Sequence, residues 1–415
     1  MYGINFAPEL TGIGKYTGEM AAWLAARGHT VRVVTAPPYY PDWAIGPGYS
    51  AKTWRRERWR GCDVWRCPLW VPSRPGGLKR LLHLASFAVT SLPVMFRQLA
   101  WRPDVVWVVE PPLFCAPAAW LVARLTGAKA WLHIQDYEVD AAFDLGLLKG
   151  QWLKRLVLVC EGWLMQRFDI VSTISRRMLD RAQAKGVEKE RLQLFPNWVD
   201  VSAMAKPSAH GVEAYRTKLG LPPDALVALY SGNMGAKQGL EVLAQVARIC
   251  ATAKPVDVAP PLWFVFCGNG VGRSELVAGC QGLAQVRFLD LQPANRLPDL
   301  LALADIHLLP QRADAADLVM PSKLTGMLAS GRAVVATARV GTELACLVES
   351  VGLVVPPEDP LRMANALLAL ADDAALRERL GAAGRVYAIA NMDGEAVLLR
   401  FESLMLKLVC NVKRY

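Results

Sequence analysis

The feature that most restricts this chain is a rhythm. Short, strongly apolar runs alternate with longer stretches of helical periodicity, twice over, with one break between. In the first half the runs are Tyr2–Phe6, Val31–Thr35, Val105–Val109, Ala130–Ile134, Ile170–Ile174 and Leu192–Phe195. Helical stretches such as Tyr16–Arg27 and Trp152–Phe168 separate several of them. A run as unbroken as Val-Val-Trp-Val-Val reads as a strand covered on both faces, which a parallel sheet layered with helices requires. The stretch 195–211 interrupts the rhythm with Pro196, Pro207, Gly211 and small residues, and marks a boundary. A second series follows: Val227–Tyr230, Trp263–Phe266, Val286–Leu289, Ile306–Leu309, Ala333–Ala336 and Leu353–Val355. Helices are expected near Leu240–Ala251, Ser322–Ala329 and Pro360–Leu370, with a closing helix over Asp393–Val409. The predicted fold class is α/β: two facing, doubly wound, Rossmann-like domains with a ligand cleft between them at the carboxyl ends of their strands. The expected boundaries are 1–200, 201–392 and a tail 393–415 that packs back toward the first domain.

Bulk properties exclude several classes. With 53% hydrophobic and 20% charged residues the chain is not a disordered one. The formal net charge of +10 is uneven: residues 1–200 carry 26 Lys and Arg against 17 Asp and Glu, and residues 201–415 carry 21 against 20. The two halves are therefore expected to meet different partners. Nine scattered cysteines suit a reducing compartment and complete no zinc spacing. The segment MYGINFAPE has no basic region leading into an apolar core, so no secretory signal is expected there. Leu81–Phe96 is the best membrane candidate, but sixteen residues fall short of the ~20 needed to span. It reads as buried or as lying on a membrane surface. No HExxH, CxxC pair, GxSxG or Walker sequence is present, and no metal is expected.

Five stretches could carry chemistry. Pro8-Glu-Leu-Thr-Gly-Ile-Gly-Lys-Tyr-Thr-Gly18 follows the first strand and opens a helix, where Gly12 and Gly14 would let the backbone approach a diphosphate. The same residues also make an ordinary βα turn. Tyr230-Ser-Gly-Asn-Met-Gly-Ala-Lys-Gln-Gly-Leu240 repeats the arrangement in the second domain, with Lys237 placed to neutralise a leaving diphosphate. In Val319-Met-Pro-Ser-Lys-Leu-Thr-Gly326, Pro321 can start a helix, Ser322 can cap it, and the amides of Ser322 and Lys323 would face a ligand. In Trp131-Leu-His-Ile-Gln-Asp-Tyr-Glu-Val-Asp140, His133 and Asp136 stand just past a strand. Cys267-Gly-Asn-Gly-Val-Gly-Arg273 lacks the last glycine of a dinucleotide fingerprint, so a nicotinamide cofactor is not expected.

Taken in order, PELTGIGKYTGEMAAWLAARGHTVRVVTAPPYYP, HIQDYEVDAAF, ISRRM, FPNWVD, YSGNMGAKQGLE and PSKLTGMLASGRAVVAT resemble the GT-B glycosyltransferases of family 4, from about residue 2 to 400. Within it they are most similar to the colanic acid biosynthesis fucosyltransferase subgroup and its relatives in exopolysaccharide and O-antigen assembly, with N-acetylfucosaminyl transferases as a neighbouring group. The resemblance implies a GT-B fold whose C-terminal domain holds a nucleotide-sugar donor and whose N-terminal domain holds the acceptor. It implies retention of anomeric configuration, no metal and no cofactor beyond the nucleoside-diphosphate sugar itself, with GDP-fucose or a UDP-sugar as candidates. Position by position, Gly12, Ile13 and Gly14 match the loop near the donor diphosphate, His133 the histidine near the transferred sugar, and Lys237 the diphosphate-binding lysine. Ser322 and Lys323 match the amides at the distal phosphate, and Leu291 falls near the loop that holds the base. Two departures stand out. Leu318 and Gly326 occupy positions where many members carry glutamates, and Gly232 stands where an arginine is usual, with Asn233 a partial, uncharged substitute.

The expected activity is glycosyl transfer to a polyprenyl-diphosphate-linked saccharide. The diphosphate would leave, Lys237 and helix-start amides would stabilise it, and the acceptor hydroxyl would attack from the same face while the diphosphate takes its proton. His133 would contact the sugar, and Asp136 or Glu138 would orient hydroxyls. The basic first half suggests docking on the inner, cytoplasmic face of an anionic membrane, through Arg55, Arg56, Arg58 and Arg60 with Trp54 and Trp59, or through Lys79, Arg80 and the apolar run after them. The rival for both is a solvated basic face above a buried helix. A nucleotide-sugar epimerase and a non-enzymatic sugar-binding protein are the competing functions. Nucleic acid is not an expected partner, because the arginine cluster matches no recognition module.

Overall fold

The computed structural model describes residues 1–10, 12–73, 76–109, 114–137, 151–235, 238–253, 260–313 and 320–410. The chain divides into two compact units, Met1–Pro196 with Ala396–Tyr415, and Asn197–Glu395. Each is an α/β layer structure on a mainly parallel sheet.

The first unit carries strands β1 (Arg32–Thr35), β2 (Arg55–Trp59), β3 (Cys62–Arg66), β4 (Val105–Val109), β5 (Lys129–Ile134), β6 (Ile170–Thr173) and β7 (Leu192–Leu194). Its helices are α1 (Gly12–Ala26), α2 (Gly77–Arg97), α3 (Ala116–Thr126), α4 (Gln151–Met165) and α5 (Arg176–Ala184). The sheet has two parts, ordered β1-β3-β2 and β4-β5-β6-β7. The expected first strand, Tyr2–Phe6, is the seam between them. Only Tyr2 makes a bridge on each side, to Val34 and to Val108. Its amide donates to Trp107 O at 2.8 Å and its carbonyl accepts from Val109 N at 2.9 Å. Gly3 follows with the Val109 carbonyl pressed against it, 3.0 Å from where a Cβ would stand. The short seam thus replaces a five-residue strand yet still joins both halves through backbone hydrogen bonds.

One element escaped the periodicity altogether. Arg55-Arg-Glu-Arg-Trp59 is antiparallel to β3, joined by a two-residue turn at Arg60 and Gly61, both at positive φ (43° and 83°). That turn matches the right-handed twist of paired strands. Strand β2 is an edge, and its charges keep another strand from adding to it. The hairpin is fastened by Arg66, 1% exposed, whose guanidinium donates to Glu57 Oε1 at 2.9 Å, Ala36 O at 3.0 Å and Ala7 O at 2.6 Å.

The second unit is built on six parallel strands in the order β10-β9-β8-β11-β12-β13. They are β8 (Leu226–Ser231), β9 (Leu262–Cys267), β10 (Val286–Leu289), β11 (Ile306–Leu309), β12 (Ala333–Thr337) and β13 (Leu353–Val355). Its helices are α6 (Val201–Met204), α7 (Ala209–Leu219), α8 (Glu241–Ala253), α9 (Arg273–Gly279), α10 (Leu297–Ala302), α11 (Lys323–Ala329), α12 (Glu343–Glu349), α13 (Pro360–Asp372) and α14 (Ala374–Met392). β8 and β9 are buried at every position, so the alternation of side chains feeds two apolar cores, one on each face. Reversal of strand order beside β8 is the topological switch point, where doubly wound sheets leave room for a ligand.

Helix α15 (Gly394–Cys410) then returns to the first unit. Phe401 lies 4.8 Å from Trp107, 4.9 Å from Trp131 and 5.0 Å from Phe195, ring centre to ring centre. Glu402 pairs with Arg27 at 2.8 Å and meets His29 Nε2 at 2.8 Å, and the Arg27 hydrogen bond holds its carboxyl below the usual range. We expect Phe401→Ala to destabilise the first unit by about 3–5 kcal/mol, the usual cost of emptying a buried aromatic site. Denaturant unfolding followed by the fluorescence of Trp107 and Trp131 checks this.

Candidate active site

In the second unit the site is made by two glycine-rich turns laid back to back. The turn after β8 passes its backbone over the turn after β9. Gly232 N donates to Cys267 O at 2.9 Å, Met234 N to Asn269 O at 2.9 Å, and Gly272 N to Met234 O at 2.8 Å. A Cβ on Gly268 would stand 1.9 Å from Gly232 O, and one on Gly270 would stand 2.6 Å from Met234 O. The Gly-Asn-Gly-Val-Gly run, read in sequence against a dinucleotide fingerprint, is therefore the bed on which the 232–235 turn lies.

Lys323 enters this turn from α11. Its Nζ donates to Tyr230 Oη at 2.8 Å, and Tyr230 Oη donates to Asn233 O at 2.6 Å. Nζ also lies 4.2 Å from the centre of the Tyr230 ring. Burial pulls this ammonium down to about 7. Ser322 is half-buried and already helical (φ −62°, ψ −24°), and makes no side-chain cap. That corrects the expected capping: a residue with helical backbone cannot turn its hydroxyl onto the amides ahead of it. Gly326 has its own reason to lack a side chain, since a Cβ there would stand 3.1 Å from Leu301 Cδ1 of α10. Asn233 is half-buried beside the Gly232 turn, and Leu291 is half-buried just beyond β10. Lys237 and Leu318 lie outside the described residues.

In the first unit, Gly12 and Ile13 form the opening of α1, with Gly12 at φ +62°. Gly14 is a packing requirement: a Cβ there would stand 2.4 Å from Glu9 Oε2. Glu9, which the sequence reading passed over, is 6% exposed and sits beneath this helix start. It accepts from Asn5 Nδ2 at 2.9 Å, and from the amides of Tyr39 and Tyr40, each at 3.1 Å. Burial raises its carboxyl to about 7, against those three hydrogen bonds and the Arg66 charge. An acid placed just before Gly-x-Gly at the end of a strand was the only signal for it.

His133 lies within β5, one residue before its end and not past it as expected, and is 2% exposed. Its ring stacks on Trp107 at 5.0 Å, Nδ1 meets Ser172 Oγ at 2.9 Å, and Nε2 meets the Gln135 amide at 3.0 Å. Burial lowers its pKa to about 3, so it stays neutral at physiological pH. Asp136 is half-buried two residues past the strand. Glu138 lies outside the described residues.

The proposed basic patch comes apart on strand β2. Alternation puts Arg55 and Glu57 on one face and Arg56 and Arg58 on the other. Arg55 pairs with Glu57 at 3.3 Å, while Arg56 and Arg58 share Asp63 at 3.3 and 3.8 Å. Arg56 also covers Trp65, and Arg60 covers Trp59. The four arginines thus do not form one cationic surface. Lys79 is exposed in the first turn of α2, and Arg80 is half-buried over Trp43. Among the described residues no helix is long and apolar enough to cross a membrane, and no three His, Cys, Asp or Glu side chains gather as a metal site would require.

Comparison with known proteins places this geometry. Residues 11–198 match the Glycosyl transferase 4-like domain family, and residues 225–373 match the Glycosyl transferases group 1 family. WcaI of Escherichia coli (strain K12), named as a glycosyl transferase of colanic acid biosynthesis, is 46% identical over 97% of this chain and 98% of its own length. The chain belongs to the glycosyltransferases. Its fold is that of sucrose-phosphate synthase from Thermosynechococcus elongatus, at TM-score 0.75 and 18% identity over 99% of both chains. WaaG, a glycosyltransferase of lipopolysaccharide biosynthesis, shares that GT-B fold at TM-score 0.66 and 17% identity over 97% of this chain and 98% of its own. So does HepE of Anabaena, solved with UDP-glucose, at TM-score 0.67 and 13% identity over 98% and 99%.

The buried acid gives this glycosyltransferase a pH signature. The folded state keeps a proton on Glu9 up to about pH 7, while the unfolded chain releases it near the ordinary carboxylate value. Between those two pH values the folded state binds more protons, so stability falls as pH rises through the interval. Relative to Glu9→Gln, we expect the parent to lose unfolding free energy between about pH 5 and about pH 8. Paired denaturant titrations at both pH values measure the difference.

Proposed function

We propose that this glycosyltransferase moves a sugar, with retention of anomeric configuration, from a nucleoside-diphosphate sugar to a polyprenyl-diphosphate-linked saccharide during exopolysaccharide assembly of the colanic acid kind. The observation that carries the reading is the near full-length similarity to WcaI, joined to a second unit whose glycine-bedded turn faces the half-buried amine of Lys323. HepE, of the same fold, was solved with UDP-glucose, which supports a nucleotide-sugar donor here. GDP-fucose and UDP-sugars are the donors to try first, and no further cofactor is invoked.

In this reading the donor diphosphate lies at the 232–235 turn and departs as charge builds on its oxygens. Lys237 and the Ser322–Lys323 amides stabilise it. The acceptor hydroxyl attacks from the face the diphosphate is leaving, and a departing phosphate oxygen takes its proton. His133 keeps its assignment near the sugar as a neutral ring, since its burial keeps it uncharged. Asp136 or Glu138 orients hydroxyls. Gly12, Ile13 and Gly14 keep their assignment at the donor diphosphate, with Glu9 packed against Gly14.

A lipid-linked acceptor calls for a membrane-facing surface, and the first unit offers one other than the arginine strand. Parallel strands with right-handed crossovers running one way place α3 and α4 on one face of the sheet. Trp120 of α3 meets Trp163 of α4 at 6.3 Å, and α2 packs beside α3. Along α4, Trp152, Leu156, Val159 and Trp163 are all exposed at helical spacing, and Leu78, Leu82, Val89 and Phe96 do the same along α2. These three helices contain one acidic residue, Glu161, buried and paired with Lys185. Lys79, Arg80, Arg124 and Arg155 accompany the apolar stripes. Helices that expose apolar and basic side chains suit an anionic lipid surface, here the inner face of the cell membrane.

The decisive experiment incubates the enzyme and a lipid-diphosphate monosaccharide with a panel of nucleotide sugars, read by mass spectrometry. One donor is expected to add a single sugar in the α or β form that it carried. A donor altered without acceptor indicates an epimerase instead and overturns the reading. For docking, flotation with anionic vesicles is expected to weaken about tenfold or more in the double variant Lys79→Glu, Arg80→Glu, each basic residue near such a surface contributing about 1 kcal/mol. Unchanged flotation removes the docking surface.

A further inference from the structure

The amine of Lys323 has a placement that its family assignment, through backbone amides, does not use. Nζ is held by the Tyr230 hydroxyl at 2.8 Å and by the face of the same ring. The phenol's proton is committed to Asn233 O at 2.6 Å, so it offers the amine a lone pair and no charge. Among the described residues no carboxylate is paired with Lys323, and burial is what perturbs it. A half-buried cation with a neutral partner is under-compensated, and an anion brought to it gains what the phenol cannot give.

The position across from it is Gly232. Its φ of +134° is one that side-chain-bearing residues avoid. A Cβ built there would stand 3.3 Å from Lys323 Cε and 3.4 Å from Nζ. A side chain at 232 and the amine of Lys323 therefore compete for one small volume, and in this chain the amine has it. We infer that the Lys323 ammonium is the group that meets the donor's diphosphate at the Gly232 turn, occupying from α11 the place a cationic side chain at 232 would fill, with Tyr230 as the positioning residue that holds it until the donor arrives. The inference rests on the reading that the second unit binds a nucleoside-diphosphate sugar.

Two consequences separate this role from a structural one. First, the amine exchanges a neutral partner for an anion on binding, so the bound state holds its proton more tightly. Because burial has brought the free ammonium down to about 7, affinity falls as pH rises above that value. Second, a guanidinium at 323 would keep its charge through the same range and remove the dependence.

The test is calorimetric titration of the full chain with GDP, UDP and inorganic pyrophosphate, from about pH 7 to about pH 9. In the parent, affinity for the better nucleotide and for pyrophosphate is expected to fall across this range. Lys323→Met should weaken both about tenfold or more at pH 7 and flatten the profile, the loss expected for one charge-assisted contact. Lys323→Arg should restore binding and hold it to pH 9. Tyr230→Phe should move the midpoint to lower pH, because the free ammonium loses its acceptor. Thermal unfolding of each variant confirms that it is folded. If the parent binds and folded Lys323→Met binds equally with the same pH profile, the inference is overturned while the donor reading stands. If the parent binds none of the three probes, the donor reading falls and takes the inference with it.

Discussion

The carbonyl oxygen of Gly232 rests 1.9 Å from the point where a side chain on Gly268 would begin. That contact is the constraint from which the turns of the second unit follow. It holds the turn after β8 against the turn after β9, where three backbone hydrogen bonds join the two. A backbone so close to another backbone tolerates only hydrogen at Cα. Glycines therefore recur at 268, 270 and 272 for packing, whether or not a phosphate ever touches them. The side chain that stands nearest Gly232, Lys323, comes from a helix about ninety residues further along the sequence.

Much of the framework was legible because it depends on local pattern. Eleven of the twelve expected strands form within one or two residues of their predicted limits, since fully buried parallel strands write themselves as unbroken apolar runs. The hairpin of Arg55–Trp59 was missed for the opposite reason. An exposed edge strand has no apolar face to show, and its arginines read as a ligand patch when they are the edge's protection. Tyr2–Phe6 was over-read, because apolar residues at a seam need only one paired position to close a sheet.

The site was legible as a set of turns but not as a set of contacts. The Gly232 turn and the Ser322–Lys323 helix start were both recognised, and the structure brings them together. What spacing could not convey is which atom of Lys323 faces the turn, because that depends on Tyr230, a residue that looked like ordinary strand filling. Glu9 and His133 show the same limit from the other side. One acid was ignored and is held at a neutral-range pKa, while one histidine was singled out and proves neutral and enclosed. Both outcomes are set by burial, which belongs to the tertiary structure.

The route of the chain has an outcome for how this protein is made. The second unit is a continuous insert, Asn197–Glu395, whose two ends are stitched to each other where Val199 bridges Asp393. The first unit is interrupted by it, and its aromatic cluster around Trp107 and Trp131 stays open on one side until Phe401 is supplied. On the ribosome, where domains emerge in order, the unit begun first is the last to be finished. The later unit can close as soon as its own residues have emerged. The earlier one must wait, with large aromatic surfaces uncovered, through the synthesis of some two hundred residues that contribute nothing to its core.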